Sequence, residues 1–287
     1  MSQTIDYFAP RTLDEALDVL AAGPATVLAG GTDLMPQTHS GKRKLGGRLM
    51  NIRRIAELAG ISESGGVVRI GALTTISELY EHALVRERLP VLWSACDHFA
   101  SGQIRNAGTL GGNVCNASPA GDTLVPLLVL GVTVVLASAA RRGTPRRVPL
   151  ADFLLGPGRT ALGADELLTA IEVPLPAAGW VDRYLKFGTR PALDISTIAI
   201  GVGGRWVDGQ LADARLAFGA VAPTAVRVAA AEQALAGGAL DAARIDATVA
   251  AADAAIRPIS DVRATDWYRH ELVRNLLRRL LSDVRQH

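Results

Sequence analysis

Apolar positions along the chain follow either the two-residue spacing of strands or the three-to-four-residue spacing of helices. In the first 175 residues, short apolar or β-branched runs predict strands at 25–28, 49–52, 67–73, 132–137 and 167–173. Two capping-box patterns, Thr12 with Glu15 and Thr75 with Glu78, predict helix starts, the second helix running toward residue 85. A further helix is predicted over 89–99. Residues 101–122 and 152–158 show neither pattern, so we expect irregular structure there.

The pattern changes after Pro174-Leu175-Pro176, which is typical of a linker. Strands are predicted at 180–187, 195–206 and 211–220, and Asp208-Gly209 predicts a hairpin between the last two. Helices are predicted over 225–235, 242–255 and 267–281, and the last of these places Leu272, Leu276 and Leu280 on one apolar face.

Together these elements predict an α+β chain with two domains. The first covers residues 1–175, contains long glycine-rich loops and divides into two subdomains near residue 55. The second covers residues 176–287 and combines an antiparallel sheet with helices. A length of 287 residues and a hydrophobic content of 49% suffice for two such cores.

Charge and hydropathy exclude several classes of function. With 20% charged residues and a formal net charge of +2, the chain has no broad positive field for nucleic acid. Two short basic clusters, at 42–44 and 141–147, are either solvated loops or partner contacts. Neither a signal peptide nor an apolar run long enough to span a membrane is evident, so we expect a cytoplasmic protein without membrane insertion.

Metal-ligating residues are sparse. Two cysteines, Cys96 and Cys115, are too few for an iron–sulfur cluster, and the five histidines show no ligand spacing. We therefore expect no metal site here and assign any metal chemistry to other chains. Only three of the 30 basic residues are lysines, and Lys186 is the one outside the 42–44 cluster. This distribution hints at a specific need for an ammonium group at that position.

A glycine pair follows the predicted strand at 25–28, in the sequence Ala29-Gly30-Gly31-Thr32-Asp33. Glycines at this point let the backbone turn sharply and approach a ligand, and their N–H groups can cradle phosphate oxygens. Thr32 could add a hydroxyl donor. An ordinary strand-to-helix turn is the alternative.

A second glycine pair lies in Thr109-Leu110-Gly111-Gly112-Asn113, followed by polar residues as far as Asp122. Two such loops suit a ligand with a central pyrophosphate and a polar group at each end. Neither matches the Rossmann or P-loop fingerprint, so a dinucleotide would be bound outside a Rossmann unit. Two purely structural loops remain the alternative. No G-x-S-x-G elbow or other hydrolase constellation is present.

At these loops the chain resembles the FAD-binding (medium) subunits of the xanthine dehydrogenase and carbon monoxide dehydrogenase family. The resemblance runs in order along nearly the whole chain. It is carried by the stretches 27–34, 103–106, 108–113 and 116–119 with Asp122, 167–174, Lys186-Phe187 with Arg190 and Asp194-Ile195, 261–264 and Tyr268-Arg269.

The resemblance implies an FAD-binding fold of the vanillyl-alcohol oxidase (PCMH) type, with FAD extended between the two N-terminal subdomains and partly covered by the C-terminal domain. It implies no catalytic side chain and no metal ligand in this chain. The residues it assigns to FAD are Val27, Leu28, Ala29, Gly30, Gly31, Thr32, Asp33, Leu34, Phe99, Thr109, Gly111, Gly112, Asn113, Asp122, Leu168 and Lys186.

Individual roles follow from the same resemblance. The first loop would line the pyrophosphate, the second would surround it, Asp122 would accept from a cofactor hydroxyl, and Leu168 would offer its backbone. Lys186 would lie near the flavin end. From this we form the hypothesis that its charge stabilises reduced flavin, so that Lys186→Ala would make the flavin harder to reduce.

The resemblance also implies partner chains. A large subunit would hold the molybdenum cofactor, and a small subunit would hold two [2Fe–2S] clusters that pass electrons to FAD in a heterotrimer or a dimer of heterotrimers. FAD would then reduce an external acceptor. Two other functions remain open: a self-sufficient FAD-dependent oxidoreductase of the same fold, and a nucleotide-binding module that is not an enzyme.

Overall fold

The computed structural model describes residues 5–45, 47–190 and 193–285. Its first layer is a parallel sheet in the order β1-β3-β2, flanked by two helices. These elements are β1 Asp6–Phe8, α1 Leu13–Ala21, β2 Thr26–Leu28, α2 Leu34–His39 and β3 Arg48–Asn51. Helix α1 begins where predicted, because the Thr12 hydroxyl accepts from the Glu15 N–H. It buries Ala16, Leu17 and Leu20.

The second layer is a five-stranded antiparallel sheet in the order β4-β5-β10-β6-β7. Its strands are β4 Ile61–Ser64, β5 Val67–Gly71, β6 Thr133–Ser138, β7 Arg146–Pro149 and β10 Glu166–Pro174, with a small hairpin of β8 Leu154–Gly156 and β9 Arg159–Thr160. Short 3-10 helices lie at Ala56–Leu58 and Ala139–Arg141. The central strand β10 carries a bulge between Leu168 and Ala170 where it pairs with β6.

Seven helices connect or cover this sheet. They are α3 Ile76–Glu81, α4 Ala83–Arg88, α5 Pro90–Asp97, α6 Gly102–Ala107, α7 Leu110–Asn116, α8 Leu124–Leu130 and α9 Leu150–Phe153. The predicted capping box at Thr75 and Glu78 is complete, with both reciprocal hydrogen bonds formed. The helix predicted toward residue 85 is interrupted at His82, which is extended and begins a new helix.

The C-terminal part is a four-stranded antiparallel sheet, β11-β12-β13-β14, covered by three helices. These elements are β11 Trp180–Phe187, β12 Ile198–Val207, β13 Gln210–Gly219, β14 Val226–Arg227, α10 Ala229–Leu235, α11 Ala242–Ala255 and α12 Asp266–Arg285. Asp208 and Gly209 both have positive φ, 48° and 76°, as a tight hairpin turn requires. Leu272 and Leu280 are buried, which confirms the predicted apolar face of α12.

Apolar residues form three clusters: one under the first sheet, one around the five-stranded sheet, and one between the C-terminal sheet and α10–α12. Helix α8 links the five-stranded-sheet layer to the C-terminal sheet. All seven of its residues are buried, and it packs against β12 and β13 as well as against the helices of the second layer.

The α+β class is confirmed, and the helix predicted over 225–235 begins only at Ala229, after strand β14. Two further local predictions are wrong. Residues 101–122 contain α6 and α7 instead of irregular structure, because Ser101 and Thr109 cap short helices with their hydroxyls. Residues 152–158 include the end of α9 and strand β8. The domain limits near 55 and at 175 stay predictions. Within the described ranges, no helix combines the length and apolar character needed to cross a membrane.

Candidate functional site

A cavity of about 400 Å³ lies between the first sheet and the five-stranded sheet. Its volume falls in the range of small-molecule and cofactor sites. The end of β2, the start of α2, the start of α7, the beginning of β10 and a turn at 158–166 supply most of its wall. One part of the lining is apolar and includes Leu20, Pro24, Ala25, Val27, Ile52 and Leu73.

The first glycine loop, residues 29–34, leads from β2 into α2 along this wall. Gly31 has a φ of +73°, which glycine adopts without strain. A Cβ on Gly30 would overlap the carbonyl oxygen of Ala107, so only glycine fits where this loop meets the segment before α7. The sharp turn therefore depends on both glycines.

This loop presents free hydrogen-bond donors. Within the described part of the chain, the backbone N–H groups of Thr32, Asp33 and Leu34 and the Thr32 hydroxyl have no partner. All three residues line the cavity. Successive N–H groups that face a concave space form an anion cradle, so phosphate oxygens suit this position.

In the second glycine loop, residues 109–113, four backbone N–H groups donate to oxygen atoms of the protein. The N–H groups of Leu110 and Gly111 donate to the carbonyl oxygens of Thr74 and Ala72, each at 2.9 Å. Those of Gly112 and Asn113 donate to the hydroxyl and carbonyl oxygens of Thr109, each at 3.0 Å. Among the described residues, the Thr109 N–H is the one N–H group of this loop that lacks a partner, so the loop is a largely fixed wall that offers a ligand mainly side chains.

Asn113 is the polar side chain that this wall provides. Its Oδ1 accepts from the Thr123 hydroxyl at 2.7 Å, and its amide nitrogen has no partner among the described residues. Gly111 packs closely behind it, because an added Cβ would lie 2.7 Å from the Cβ of Ala72. The amide donor is thus held at a set position on the cavity surface.

Two carboxylates belong to the cavity and differ in their surroundings. Desolvation raises the pKa of Asp33, although the residue is exposed to solvent, and Asp33 forms no ion pair with any described residue. Glu166 instead forms a two-point hydrogen bond with Arg146, at 2.6 and 2.9 Å, and this bond holds its pKa below the ordinary value. Glu166 also accepts from the Gly163 N–H at 2.8 Å. This second carboxylate therefore shapes the turn at 158–166.

The structure brings most of the predicted site residues to one cavity. The predicted residues that line it are Val27, Ala29, Gly30, Gly31, Thr32, Asp33, Leu34, Phe99, Thr109, Gly111, Gly112, Asn113 and Leu168. A bulge follows Leu168 and interrupts the regular pairing of β10 with β6, and the predicted backbone role of Leu168 stays a prediction.

Three predicted residues are not part of the lining. The Leu28 side chain supports the first loop, since its Cδ1 would lie 3.1 Å from a Cβ on Gly31. Asp122 and Lys186 form an ion pair with each other at 2.7 Å. Their predicted roles toward a cofactor stay predictions.

The sequence interpretation missed part of the wall. The missed lining residues include Arg43, Asn116, Thr160, Leu162, Gly163 and Ala164. The dense glycines at 156, 158 and 163 were a usable signal for the turn at 158–166. Among the residues that the structure describes, no group of three or more His, Cys, Asp or Glu side chains could hold a metal ion.

Comparison with known proteins identifies the family of this fold and cavity. Residues 3–176 match the family model of the FAD binding domain in molybdopterin dehydrogenase. The chain belongs to this family. Residues 183–284 match the CO dehydrogenase flavoprotein C-terminal domain. The chain is therefore an FAD-binding medium subunit of the molybdenum hydroxylases, as its sequence motifs predicted.

Individual relatives agree with this assignment. The chain is 37% identical over 195 residues to the xanthine dehydrogenase FAD-binding subunit of Escherichia coli, and the aligned region covers 67% of this chain and 65% of that subunit. It is 32% identical over 280 residues to the glyceraldehyde dehydrogenase medium chain of Sulfolobus acidocaldarius, covering 97% of each.

A solved structure agrees as well. A chain of carbon monoxide dehydrogenase from Hydrogenophaga pseudoflava superposes with a TM-score of 0.93 at 33% identity, covering 98% of both chains. The FAD-binding fold followed by a C-terminal sheet-and-helix domain is thus shared along the whole length.

Proposed function

We propose that the chain binds FAD in the cavity between its first two sheets and transfers electrons from partner [2Fe–2S] clusters to an external acceptor. The observation that carries this proposal is the run of N–H donors at Thr32, Asp33 and Leu34, which have no partner among the described residues and line the same cavity as Asn113. These donors suit the pyrophosphate of a dinucleotide.

The residues present fit FAD along the length of the cavity. The first loop would hold the pyrophosphate, and Asn113 would donate to an oxygen of the sugar or phosphate. The apolar lining around Leu20, Pro24 and Val27 and the ring of Phe99 would pack against flat ring systems and exclude water from them. When bound, FAD would supply the redox chemistry.

The names of the relatives support the proposal that substrate recognition and FAD binding lie on different chains. They are named for xanthine, glyceraldehyde and carbon monoxide, although they share this fold with one another and with this chain. Substrates so different are best explained if another chain recognises them. We therefore propose a large molybdenum-cofactor subunit and a small subunit with two [2Fe–2S] clusters as partners, in a cytoplasmic heterotrimer.

The composition of native material tests this proposal. The chain would be tagged, purified from its own host, and assayed for acid-released flavin, iron and molybdenum. We expect FAD with about four irons and one molybdenum per chain, since two [2Fe–2S] clusters contain four irons. FAD without metals would favour the self-sufficient flavoenzyme. Protein without flavin would favour the nucleotide-binding module and contradict the proposal.

A further inference from the structure

A buried ion pair joins the two halves of the chain beside the cavity. The Lys186 ammonium on β11 lies 2.7 Å from Asp122 Oδ2, and the two side chains are 7% and 11% exposed. Ser196, which precedes β12, donates to the other carboxylate oxygen of Asp122 at 2.7 Å. Since Asp122 lies between α7 and α8, the C-terminal strands are bonded directly to the FAD-binding part of the chain.

One arm of this cluster leads to Phe99. Lys186 Nζ also donates to the carbonyl oxygen of His98 at 3.0 Å, and His98 is the residue that ends α5. Phe99 follows directly and lines the cavity. The Arg105 guanidinium holds the Phe99 carbonyl oxygen from the other side, at 3.0 Å. The position of this ring therefore depends on where α5 ends.

The other arm leads to Asn113. Thr123 follows Asp122 in the chain and is fully buried. Its hydroxyl donates to Asn113 Oδ1 at 2.7 Å, which orients the amide that faces the cavity. A movement of Asp122 would therefore carry Thr123 and turn the Asn113 amide.

Strand β11 also holds the opposite end of α5. The Val91 N–H in the first turn of the helix faces the buried Asp182 carboxylate, whereas Lys186 donates to the carbonyl oxygen of His98, the C-cap residue. An acid at the start of a helix and a base at its end both complement the helix dipole. The C-terminal strands thus fix α5 at both ends.

We propose that Lys186, Asp122 and Ser196 form a buried latch through which the C-terminal strands position Phe99 and Asn113 for FAD. The inference rests on the proposed FAD site. Removing one partner of a buried ion pair leaves an uncompensated charge, whereas removing both leaves none. The three residues are therefore positioning residues, and their effects on the site should be coupled.

Affinity for FAD, measured by flavin titration of the full chain, tests the coupling. Lys186→Met and Asp122→Asn should each weaken binding about tenfold, and the double variant should lose about the same factor. Arg274→Met, which breaks an ion pair between α11 and α12, is the control and should bind as the wild type does. Losses that multiply in the double variant would overturn the latch.

The titration also separates the latch from direct contact between Lys186 and flavin. Direct contacts of Asp122 and Lys186 with FAD, as the resemblance implies, predict losses that multiply in the double variant, and predict that Lys186→Met makes the flavin reduction potential more negative. That pair of results would overturn the latch. Equal losses in the two single variants, with an unchanged potential in the loaded protein, would support it.

Hydrogen exchange of the unliganded chain gives a readout that does not depend on FAD. In Lys186→Met and in the milder Ser196→Ala, amides of residues 97–105 and 110–116 should exchange faster, while those of α11 should not change. Unchanged exchange at 97–105 and 110–116 would overturn the latch, even in a chain that binds FAD. A wild-type chain that binds no FAD would refute the proposed function, and this exchange pattern would still decide the inference.

Discussion

The two glycine loops are similar in sequence and different in bonding. Within the described chain, residues 32–34 leave three successive N–H groups and one hydroxyl without partners, whereas residues 110–113 bond four N–H groups to oxygens of the protein. Both loops line the same cavity. The first is an open cradle and the second a closed wall, so a glycine pair followed by a polar residue does not by itself define a phosphate site.

The neighbours of each loop explain the difference. The second loop lies beside the segment that follows β5, where Ala72 and Thr74 offer carbonyl oxygens to the N–H groups of Gly111 and Leu110. The first loop instead meets the carbonyl oxygen of Ala107 with the Cα of Gly30, and no N–H of the loop donates to that oxygen among the described residues. The comparison predicts that changes in the first loop act on ligand binding, and that changes in the second act on stability first.

Gly30→Ala should have the largest effect. Its Cβ would overlap a backbone carbonyl oxygen that cannot move away freely, so the two loops would separate. We expect a loss of about 3 kcal/mol in the free energy of unfolding and FAD affinity reduced ~100-fold or more. Urea unfolding and flavin titration measure both. Gly102→Ala is the control, because an added Cβ there meets nothing within 4 Å. Wild-type FAD affinity in Gly30→Ala would show that ligand binding does not depend on the close contact between the two loops.

Thr32→Val should have the next largest effect, and only on binding. The substitution keeps the shape of the side chain and removes a hydroxyl that has no partner within the described chain. FAD affinity should fall about tenfold, the worth of one hydrogen bond to a charged group. Thermal unfolding of the unliganded protein should not change. A lower melting temperature without a change in affinity would mean that this loop is structural.

Thr109→Val should lower the free energy of unfolding more than it lowers FAD affinity, the reverse of Thr32→Val. It removes the hydroxyl that caps α7 and leaves the Gly112 N–H without an acceptor. We expect a loss of about 1 kcal/mol in the free energy of unfolding, with FAD affinity reduced less than in Thr32→Val. Thr109→Ser keeps the cap and should restore the stability. If Thr109→Val and Thr109→Ser were equally stable, the stability of the second loop would not depend on this cap.

The smallest expected effect comes from Asp33 and is a dependence of FAD affinity on pH. Desolvation raises the pKa of its carboxyl, and a bound pyrophosphate would favour the neutral form further. FAD affinity should therefore rise as pH falls through the pKa of Asp33, by about threefold at a partly exposed site. Asp33→Asn should bind FAD with an affinity that is less dependent on pH. Parallel pH profiles for the variant and the wild type would show that Asp33 lies apart from the phosphates.

Sequence patterns predicted the parts of the fold that depend on local bonding. The caps at Thr12 and Thr75 and the hairpin at Asp208-Gly209 are short-range signals, and each has its predicted structure. Helix α7 was missed because glycine and asparagine favour loops, whereas contacts with Ala72 and Thr74 stabilise this segment as a helix.

For the site, the sequence and the family resemblance predicted which residues gather around the cavity but not how each is bonded. Asp122 and Lys186 lie 64 positions apart, and no spacing rule connects them. Whether a loop N–H is free also depends on acceptors from distant segments. These features arise from tertiary packing and became visible only in the folded chain.

The decisive measurement is a crystal structure of the full chain with FAD. We expect the N–H groups of Thr32, Asp33 and Leu34 to lie at hydrogen-bond distance from the pyrophosphate, roughly 2.7–3.2 Å from nitrogen to oxygen. We also expect the N–H groups of Leu110 and Gly111 to keep their bonds to Thr74 and Ala72. A pyrophosphate held by the N–H groups of the second loop, with the first loop out of contact, would contradict the proposed roles of the two loops.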